Sequence, residues 1–348
     1  MRIANSSKKS RASVIVDRHF DCDALTDLIG TGSERAHALL RNATWQPLAQ
    51  AVARPGKEFR GRLVEHAYAI AKTRALDAST IAPLAYELPQ ILELIHAGSL
   101  VIDDVEDNAL VRRGAPALHR LVGAPAAINV GNFLYFLPIV LLSTLNLDPA
   151  TSLTMHQRTA RALLRCHHGQ GLDLTIKVSE VGVADLRELV KLTTSLKTGS
   201  LMGLACSLGA LAGGADLALE GALADFGCEL GIALQMLDDL SGFLNATRVG
   251  KGIEDLMEQR ATWAWAYASE AVDEPTIRGW QRISREIKAS GRGADSLLAA
   301  MKPHLEVARR APRRRLEAAL NTLRSRIGTQ DALEALASEI EALEKSYV

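Results

Sequence analysis

The sequence predicts an all-α protein, and three observations support that fold class. The 348 residues are 48% apolar but only 4% aromatic, with abundant Ala and Leu, a composition typical of packed helices. Apolar residues recur every three or four positions over long segments, which is the helical period. No convincing run of two-residue alternation, the pattern of a half-buried strand, is present in the sequence.

Turn residues separate the helical segments and support their boundaries. Gly114-Ala115-Pro116 and Gly213-Gly214 are examples, and Arg54-Pro55-Gly56 and Val249-Gly250 are two more. Segments 126–142 and 200–212 are apolar nearly all round, so we expect an inner layer of enclosed helices. The predicted helical segments are 33–52, 57–76, 83–109, 123–145, 150–176, 183–212, 216–245, 257–271, 273–289, 293–307, 312–326 and 330–346.

The linkers between these segments are short, which predicts one domain over residues 15–348. The polar, basic start MRIANSSKKSRAS is not followed by the apolar core of a signal peptide, so we expect residues 1–14 to be a disordered tail.

The apolar run 126–142 has 17 residues and contains Asn129, Asn132 and Pro138. It is too short and too polar for a membrane span, so we expect a buried helix and no transmembrane segment.

Charge and cysteine usage narrow the class of partner. Forty basic and forty acidic residues cancel, so no overall field recruits nucleic acid or an anionic membrane. The four cysteines are scattered without a CxxC pair, which argues against a zinc site or a disulfide framework and favours the cytoplasm.

An unusual density of carboxylates lies in the stretch LVIDDVED. On a helix, Asp103 and Asp107 lie one turn apart on the same face, whereas Asp104 is rotated by about 100°. A second cluster, LQMLDD, places Gln235 three residues before Asp238 and Asp239 in another apolar helical pattern. Oxygen-only clusters of this kind suit Mg²⁺, which binds one or two carboxylates plus substrate phosphates.

Cations accompany both clusters. Arginine forks and compact lysine charges bind phosphate oxygens, so together with two magnesium-type clusters they predict a site for diphosphates. The candidate cations and their neighbours are Gly56, Lys57, Arg60, Arg112, Arg113, Lys197, Thr198, Lys251 and Arg260.

Seven stretches in order resemble the trans-isoprenyl diphosphate synthases, also called polyprenyl synthetases. They are PGKEFR at 55–60, HAGSLVIDDVEDNALVRRGAPALH at 96–119, GAPAAINVGN at 123–132, GQGLDL at 169–174, LKTGSL at 196–201, LQMLDD at 234–239 and GKGIEDLMEQRAT at 250–262. The resemblance implies the isoprenoid synthase fold, a single-domain bundle of about a dozen helices around a central apolar cavity. It also implies a homodimer whose substrates are isoprenoid diphosphates.

The resemblance further implies an Mg²⁺-dependent head-to-tail condensation of isopentenyl diphosphate with an allylic diphosphate, releasing pyrophosphate. Three Mg²⁺ ions would be held by Asp103, Asp107 and Asp238, with Asp104 and Asp239 beside them. Lys197 and Arg112 would assist the ionisation of the allylic substrate. The allylic diphosphate would be bound by Arg112, Lys197, Thr198, Gln235, Lys251 and Arg260, and isopentenyl diphosphate by Gly56, Lys57, Arg60, His96 and Arg113.

Three positions depart from the family pattern. Gly242 stands where the second cluster usually ends in another Asp, Arg260 replaces a customary lysine, and Asn132 stands where Asp is frequent. We expect Gly242 to mark a kink in its helix. Two alternatives therefore stay open, a class I terpene cyclase on the same scaffold and a non-catalytic helical subunit of a heteromeric prenyl synthase. The cyclase lacks support because DDLSGFLNA has no Glu at the spacing of its metal triad.

The length of the product depends on the residues that close the chain tunnel. By the resemblance, Gly98 and Ser99 before Asp103 are small and let the growing chain pass, with Ile95 one turn further. Phe133 and Phe136 on the next helix are candidates for a lower floor. We therefore expect geranylgeranyl diphosphate, with twenty carbons, or a longer product. The alternative for Gly98 is that it allows close helix packing.

Overall fold

Helices make up nearly all of the regular structure, and the predicted all-α class is confirmed. The computed structural model describes residues 10–19, 30, 32–53, 56–72 and 84–347. Within these ranges there are seventeen α-helices and one two-stranded hairpin, β1 (Val111–Arg112) with β2 (Ala115–Pro116). The described residues fall into two compact units. The expected single domain over 15–348 stays a prediction.

Unit 1 comprises the described residues up to Gln157 together with Leu208–Gly214. In this unit, α5 (Leu84–Glu106) packs against α4 (Phe59–Lys72) and α7 (Ala124–Thr144), and the C-terminal end of α5 holds the first carboxylate cluster. The helices that begin in this part of the chain are α1 (Arg11–His19), α2 (Glu34–Leu40), α3 (Gln46–Val52), α4 (Phe59–Lys72), α5 (Leu84–Glu106), α6 (Leu118–Val122), α7 (Ala124–Thr144) and α8 (Pro149–Thr175).

Unit 2 comprises Arg158–Ser207 and the described residues from Ala215 onward. Its longest helix, α11 (Leu217–Leu244), begins at a side-chain cap, in which Asp216 accepts a hydrogen bond of 2.8 Å from the backbone N–H of Leu219. The remaining helices are α9 (Leu186–Thr194), α10 (Ser200–Ala212), α11 (Leu217–Leu244), α12 (Val249–Met257), α13 (Trp263–Ala271), α14 (Glu274–Ser290), α15 (Ala294–Leu305), α16 (Ala311–Ile327) and α17 (Asp331–Lys345).

The helix count exceeds the expected dozen for local reasons. Two predicted segments, 33–52 and 183–212, each contain a π-helical turn, Arg41–Trp45 and Ser195–Gly199, which divides the helix. Single π turns often occur at functional sites, and the second one carries Lys197. The predicted segment 257–271 was wrong at its start, because α12 ends at Met257 and α13 begins at Trp263.

The boundary of the expected tail needs correction. Residues 1–9 lie outside the described residues, but Arg11–His19 form α1. Ion pairs explain why this helix forms, since the Arg11 guanidinium lies 2.5 Å from the carboxylate of Glu65 and 3.5 Å from that of Glu58. Sequence periodicity over so short a segment did not indicate this pairing.

Helix α7 contains the apolar run that we expected to be buried. It is long and apolar enough to cross a membrane by length and composition, and 44% of its most apolar window is buried. Leu134 and Leu141 face the core, whereas Phe136 and Val140 are exposed. The helix therefore has one buried and one exposed face, and the expectation of full enclosure was wrong.

Candidate active site

The first carboxylate cluster lies at the end of α5 in unit 1. The backbone N–H of Asp107 donates to the carbonyl of Asp103 at 2.9 Å, so these residues are one helical turn apart, as the spacing predicts. Asp103 is half-buried, and Asp107 and Glu106 are exposed. Two carboxylates on one accessible face provide oxygen ligands of the type that Mg²⁺ prefers.

Asp104 lies on a different side of the helix and binds Arg112. Its carboxylate is 3% exposed and accepts hydrogen bonds from Nε of Arg112 at 2.8 Å and from Nη2. Burial works against the charge of Arg112, but the bond to Asp104 and the fields of Asp103 and Asp107 hold its pKa above the ordinary value. In this arrangement Asp104 holds the guanidinium of Arg112 in place, and we therefore expect Asp104 to act by positioning this arginine.

The hairpin that follows presents Arg112 and Arg113 at a two-residue turn. Arg113 and Gly114 have φ values of 50° and 76°, which is the backbone of a type I′ turn. The turn brings Arg113 against Gly56, because a Cβ placed on Gly56 would lie 2.8 Å from the guanidinium carbon. Two residues that are far apart in the sequence, both expected at the isopentenyl diphosphate site, are therefore adjacent.

Arg60 and His96 form the second pair expected at that site. Nη1 of Arg60 lies 3.0 Å from Nε2 of His96, and because arginine can only donate, the imidazole carries its proton on Nδ1. Desolvation lowers the pKa of His96 well below its ordinary value, as do the charges of Arg60, Arg113 and Arg112. A neutral imidazole thus lies among three arginines, an arrangement suited to an anion. Lys57 is exposed, and its carbonyl accepts from Arg62 at 2.6 Å.

Glu93 lies beneath this pair and was missed by the sequence reasoning. Its carboxylate accepts from the backbone N–H of Gly61 at 2.9 Å, which ties α5 to the start of α4. Burial raises the pKa of Glu93 although Arg60 opposes the shift. The signal was available, since Glu93 and His96 are three residues apart on one helix.

The second carboxylate cluster is in unit 2, near the end of α11. The amide of Gln235 donates to Asp239 at 2.8 Å and accepts from the hydroxyl of Thr198 at 3.0 Å. Asp239 also accepts from the backbone N–H of Trp263 at 2.9 Å. Burial, aided by the nearby carboxylates Asp255 and Asp238, raises the pKa of Asp239 to about 7. Asp239 therefore fixes the start of α13.

Asp238 is the accessible carboxylate of this cluster. Its Oδ1 accepts from Nη2 of Arg248 at 2.5 Å, and its Oδ2 lies 3.6 Å from Nζ of Lys251. Lys251 also lies 3.4 Å from Asp255, whose pKa burial raises to about 6. Burial works against the charge of Lys251, but the surrounding carboxylates, Asp255 first, raise its pKa. Neither Arg248 nor Asp255 was named from the sequence, although GKGIEDL contains the latter.

Lys197 and Arg260 meet at a third carboxylate, Asp173. Nζ of Lys197 lies 2.9 Å from Oδ2 of Asp173, and Nη1 of Arg260 lies 3.4 Å from the same oxygen. Burial favours the neutral acid, yet these two cations hold the pKa of Asp173 below its ordinary value. The arginine that replaces the customary lysine thus keeps its positive charge beside Lys197. Asp173 was missed as a site residue, although the stretch GQGLDL had been singled out.

Close backbone approach positions the π turn that carries Lys197 and Thr198. A Cβ on Gly169 of α8 would lie 2.5 Å from the backbone nitrogen of Lys197. Contacts this short are not formed by real Cβ atoms, so any larger residue at this position would push the turn away.

Gly242 has a packing role that explains the missing carboxylate. A Cβ on Gly242 would lie 2.9 Å from the nitrogen and 3.1 Å from the Cα of Gly252 in α12. Helix α11 continues through this position to Leu244, and the expected kink stays a prediction. An Asp here would displace α12, which carries Lys251. The third departure, Asn132, is exposed on α7.

The candidates for chain length lie in unit 1 and need partial correction. A Cβ on Gly98 would lie 3.0 Å from both the carbonyl oxygen of Gly131 and Cβ of Leu134, so Gly98 allows α5 and α7 to pack closely. This supports the packing alternative over a tunnel wall. Phe136 is 67% exposed and Ile95 is 2% exposed in the core, so the assignment of Phe136 as an interior floor was wrong.

Ser99 and Phe133 are both half-buried. The hydroxyl of Ser99 donates to the carbonyl of His96 at 2.8 Å, and its side chain adds little bulk. These two residues remain the candidates for the tunnel wall.

The donor chemistry of both clusters fits magnesium. Among the described residues, no group of three or more His, Cys, Asp or Glu side chains forms a complete metal-ligand set. Asp103 and Asp107 in unit 1 and Asp238 in unit 2 supply carboxylate oxygens, and Mg²⁺ commonly takes its other ligands from water and substrate phosphates. These residues would hold the ions that the family resemblance implies.

Comparisons with known proteins agree with this chemistry. The sequence is 32% identical over 253 residues to geranylgeranyl pyrophosphate synthase 2 of Zymoseptoria tritici, covering 71% of this chain and 69% of the relative. It is 31% identical over 295 residues to the geranylgeranyl diphosphate synthase of Mycobacterium tuberculosis, covering 80% of this chain and 77% of the relative.

A solved structure supports the fold. The decaprenyl diphosphate synthase of Rhodobacter capsulatus superposes with a TM-score of 0.72 at 21% identity, over 97% of this chain and 95% of that one. Residues 42–293 match the family described as Polyprenyl synthetase. A match over so much of the sequence, with the motif residues gathered as described, shows that the chain belongs to the polyprenyl synthetase family.

Proposed function

We propose that this trans-prenyltransferase condenses isopentenyl diphosphate head-to-tail with an allylic diphosphate and releases pyrophosphate. The observation that carries the proposal is the set of cations paired with half-buried and buried carboxylates in unit 2. Lys197 and Arg260 share Asp173, and Lys251 lies between Asp238 and Asp255. Cations held in place by such acids are preorganised for a ligand of high negative charge.

We propose that Mg²⁺, as three ions, is bound with the allylic diphosphate by Asp103, Asp107 and Asp238. When bound, the ions neutralise the charge that develops on the departing pyrophosphate. Lys197, Lys251 and Arg260 are the cations proposed for phosphate oxygens in unit 2, and Arg112 is the one proposed in unit 1. The central apolar cavity that the resemblance implies stays a prediction.

The remaining cluster of unit 1 is assigned to isopentenyl diphosphate. Arg60 and Arg113 bind its phosphate oxygens, while Gly56 leaves room for the Arg113 guanidinium. A neutral His96 donates a hydrogen bond without adding charge. The isopentenyl double bond attacks the allylic cation, and a proton leaves to the released pyrophosphate. No protein nucleophile is required, but water must be excluded because it would quench the cation.

Two observations disfavour the alternatives. A terpene cyclase needs no second diphosphate site, whereas Arg60, His96 and Arg113 form a cationic cluster that supports one in this chain. A non-catalytic subunit would not need an accessible carboxylate pair, and Asp103 and Asp107 provide one.

The test is incubation of the protein with Mg²⁺, isopentenyl diphosphate and each of three allylic primers of ten, fifteen and twenty carbons. Mass spectrometry then identifies the products. Longer diphosphates support the synthase, and cyclic hydrocarbons would support the cyclase. An absence of turnover that is rescued by a second prenyl synthase chain would support the subunit role.

We propose geranylgeranyl diphosphate, or a somewhat longer chain, as the product. The names of the relatives from Zymoseptoria tritici and Mycobacterium tuberculosis support the twenty-carbon length. Ser99 supports it as well, since a small half-buried residue four positions before Asp103 leaves space along α5.

We also propose that the chain forms a homodimer through the outer face of α7. Ile128, Phe136 and Val140 lie on this face with 41%, 67% and 48% of their surfaces exposed. Apolar side chains at helical spacing on one exposed face are typical of an interface, and a second copy can present the same face in a symmetric pair. Sedimentation equilibrium should give twice the chain mass, and Phe136→Glu should lower the measured mass to that of the monomer.

A cytoplasmic location is expected from the scattered cysteines of the sequence.

A further inference from the structure

Arg248 connects the second carboxylate cluster with the residues that follow α17. One edge of its guanidinium donates to Oδ1 of Asp238 at 2.5 Å. Its Cζ lies 4.9 Å from the centre of the Tyr347 ring, within the range of a cation–π interaction. The carbonyl of Tyr347 accepts a hydrogen bond of 3.2 Å from Nδ2 of Asn245. The flat face of the Arg248 guanidinium therefore lies against the Tyr347 ring, and one of its edges donates to the Asp238 carboxylate.

The contact with Asp238 places two cations on the carboxylate that is assigned to metal. Arg248 binds Oδ1 and Lys251 lies near Oδ2 at 3.6 Å. A divalent ion that binds Asp238 therefore competes with a guanidinium for the same oxygen, and like charges repel. The side chains of Arg248 and Asp238 are each 25% exposed, so both can be reached from solvent.

A diphosphate changes this balance. It brings several negative charges to the position beside Asp238, and a guanidinium has further N–H groups that match phosphate oxygens as a fork. A guanidinium displaced from Asp238 by a metal ion would then have a new anion within reach. Arg248 would be repelled by the metal alone but would be attracted by metal and diphosphate together.

We propose that Arg248 is a further binding residue for the allylic diphosphate and that Tyr347 is a positioning residue for it. The proposal rests on the proposed function. In the ligand-free protein Arg248 occupies Asp238 and keeps the carboxylate oriented. When metal and diphosphate enter, its guanidinium transfers to the phosphate oxygens while the Tyr347 ring supports its face. Asn245 acts through Tyr347, because it fixes the backbone from which the ring projects.

Two titrations of the full chain test this proposal without relying on turnover. The first measures the binding of inorganic pyrophosphate by calorimetry in saturating Mg²⁺. The second measures the binding of Mn²⁺ alone from the electron paramagnetic resonance signal of the free ion. Arg248→Gln should weaken pyrophosphate binding by about tenfold, the effect of one charge-assisted fork. The same variant should bind Mn²⁺ alone more tightly, by about threefold, because a competing cation is gone.

The Tyr347 variants separate the ring from the hydroxyl group. Tyr347→Phe keeps the aromatic face and should bind pyrophosphate like the wild type. Tyr347→Ala should weaken this binding by about threefold. Arg282→Gln is the matched control, because it removes an arginine from the exposed side of α14 and should change neither titration.

Opposite shifts in the two titrations would support the proposal, since a purely structural role would weaken both. Arg248→Gln binding pyrophosphate like the wild type would overturn it. Weakening of both titrations together with a lower melting temperature would overturn it as well. If the wild type itself fails to bind pyrophosphate with Mg²⁺, the proposed function fails first, and the two failures are thereby distinguished.

Discussion

Restoring the family's carboxylate by Gly242→Asp should damage the protein, because the position is filled by a neighbouring backbone. A Cβ on Gly242 would lie 2.9 Å from the nitrogen of Gly252 and 3.1 Å from its Cα. Unstrained contacts between such atoms need about 3.5–4.0 Å, so α12 would have to shift by about 0.5–1 Å before the carboxylate is accommodated. Overpacking of this kind costs about 1–3 kcal/mol.

The opposing effect is smaller. Aspartate is only a slightly better helix former than glycine, so the gain inside a helix is about 0.3 kcal/mol. We therefore expect Gly242→Asp to lower the free energy of unfolding by about 1–3 kcal/mol, close to the overpacking cost itself. The shift of α12 would also move Lys251, so binding of pyrophosphate should weaken although a carboxylate has been added.

Urea unfolding of a graded series provides the assay. Gly252→Ala should destabilise more than Gly242→Ala, because its Cβ would lie 2.8 Å from the carbonyl carbon of Gly242 and closer still to the oxygen. Gly250→Ala is the control, since nothing lies within 4 Å of a Cβ at that position, and it should stabilise by up to about 1 kcal/mol. A Gly242→Asp variant as stable as the wild type, or equal effects across the series, would refute this reasoning.

Three further predictions follow from individual contacts. Ser99→Phe should shorten the product to fifteen carbons, as measured by chromatography of the alcohols released by hydrolysis. An unchanged product would show that Ser99 does not line the tunnel. Because the folded pKa of His96 lies well below its ordinary value, the unfolded chain binds that proton first. The free energy of unfolding should therefore fall as the pH drops below about 6.5. Urea titrations should show a smaller fall in the free energy of unfolding for His96→Gln than for the wild type. Arg158→Met should lower it by about 2–3 kcal/mol, because Glu220, with 2% of its side chain exposed, loses two hydrogen bonds. Loss of the exposed ion pair between Arg278 and Glu274 should lower the free energy of unfolding by less than about 1 kcal/mol. If this loss costs as much as Arg158→Met, the greater importance assigned to the Arg158 pair is contradicted.

The fold class and most helix positions could be predicted because periodicity and turn residues act locally. Predicted segments 123–145 and 216–245 match α7 and α11 within one residue at each end. The π turns escaped prediction because each covers only five residues, which is shorter than the window over which a helical period can be read from sequence. Helix α1 escaped because its order depends on Arg11 pairing with Glu58 and Glu65, far along the chain.

The candidate site was predictable where a motif names the residue and unpredictable where the partner is distant. Lys197, Gln235 and Asp238 follow from local patterns, and the structure places them among opposite charges and hydrogen-bond partners. Arg248 and Tyr347 are 99 residues apart in number, and no spacing rule connects them.

Gly98 shows a different limit. A small residue beside a carboxylate motif is compatible both with an open tunnel and with a close helix contact. A Cβ placed on Gly98 would lie only 3.0 Å from the carbonyl oxygen of Gly131, which favours the helix contact.

The coupling between isopentenyl diphosphate consumption and pyrophosphate release tests the central claim most directly. Radiolabelled isopentenyl diphosphate and a fifteen-carbon allylic primer are incubated with Mg²⁺, and both quantities are followed in time. A condensing enzyme releases one pyrophosphate for each isopentenyl unit joined and almost none when that unit is withheld. Asp238→Asn should abolish both signals together. Release of pyrophosphate from the primer at the same rate without isopentenyl diphosphate would contradict the account.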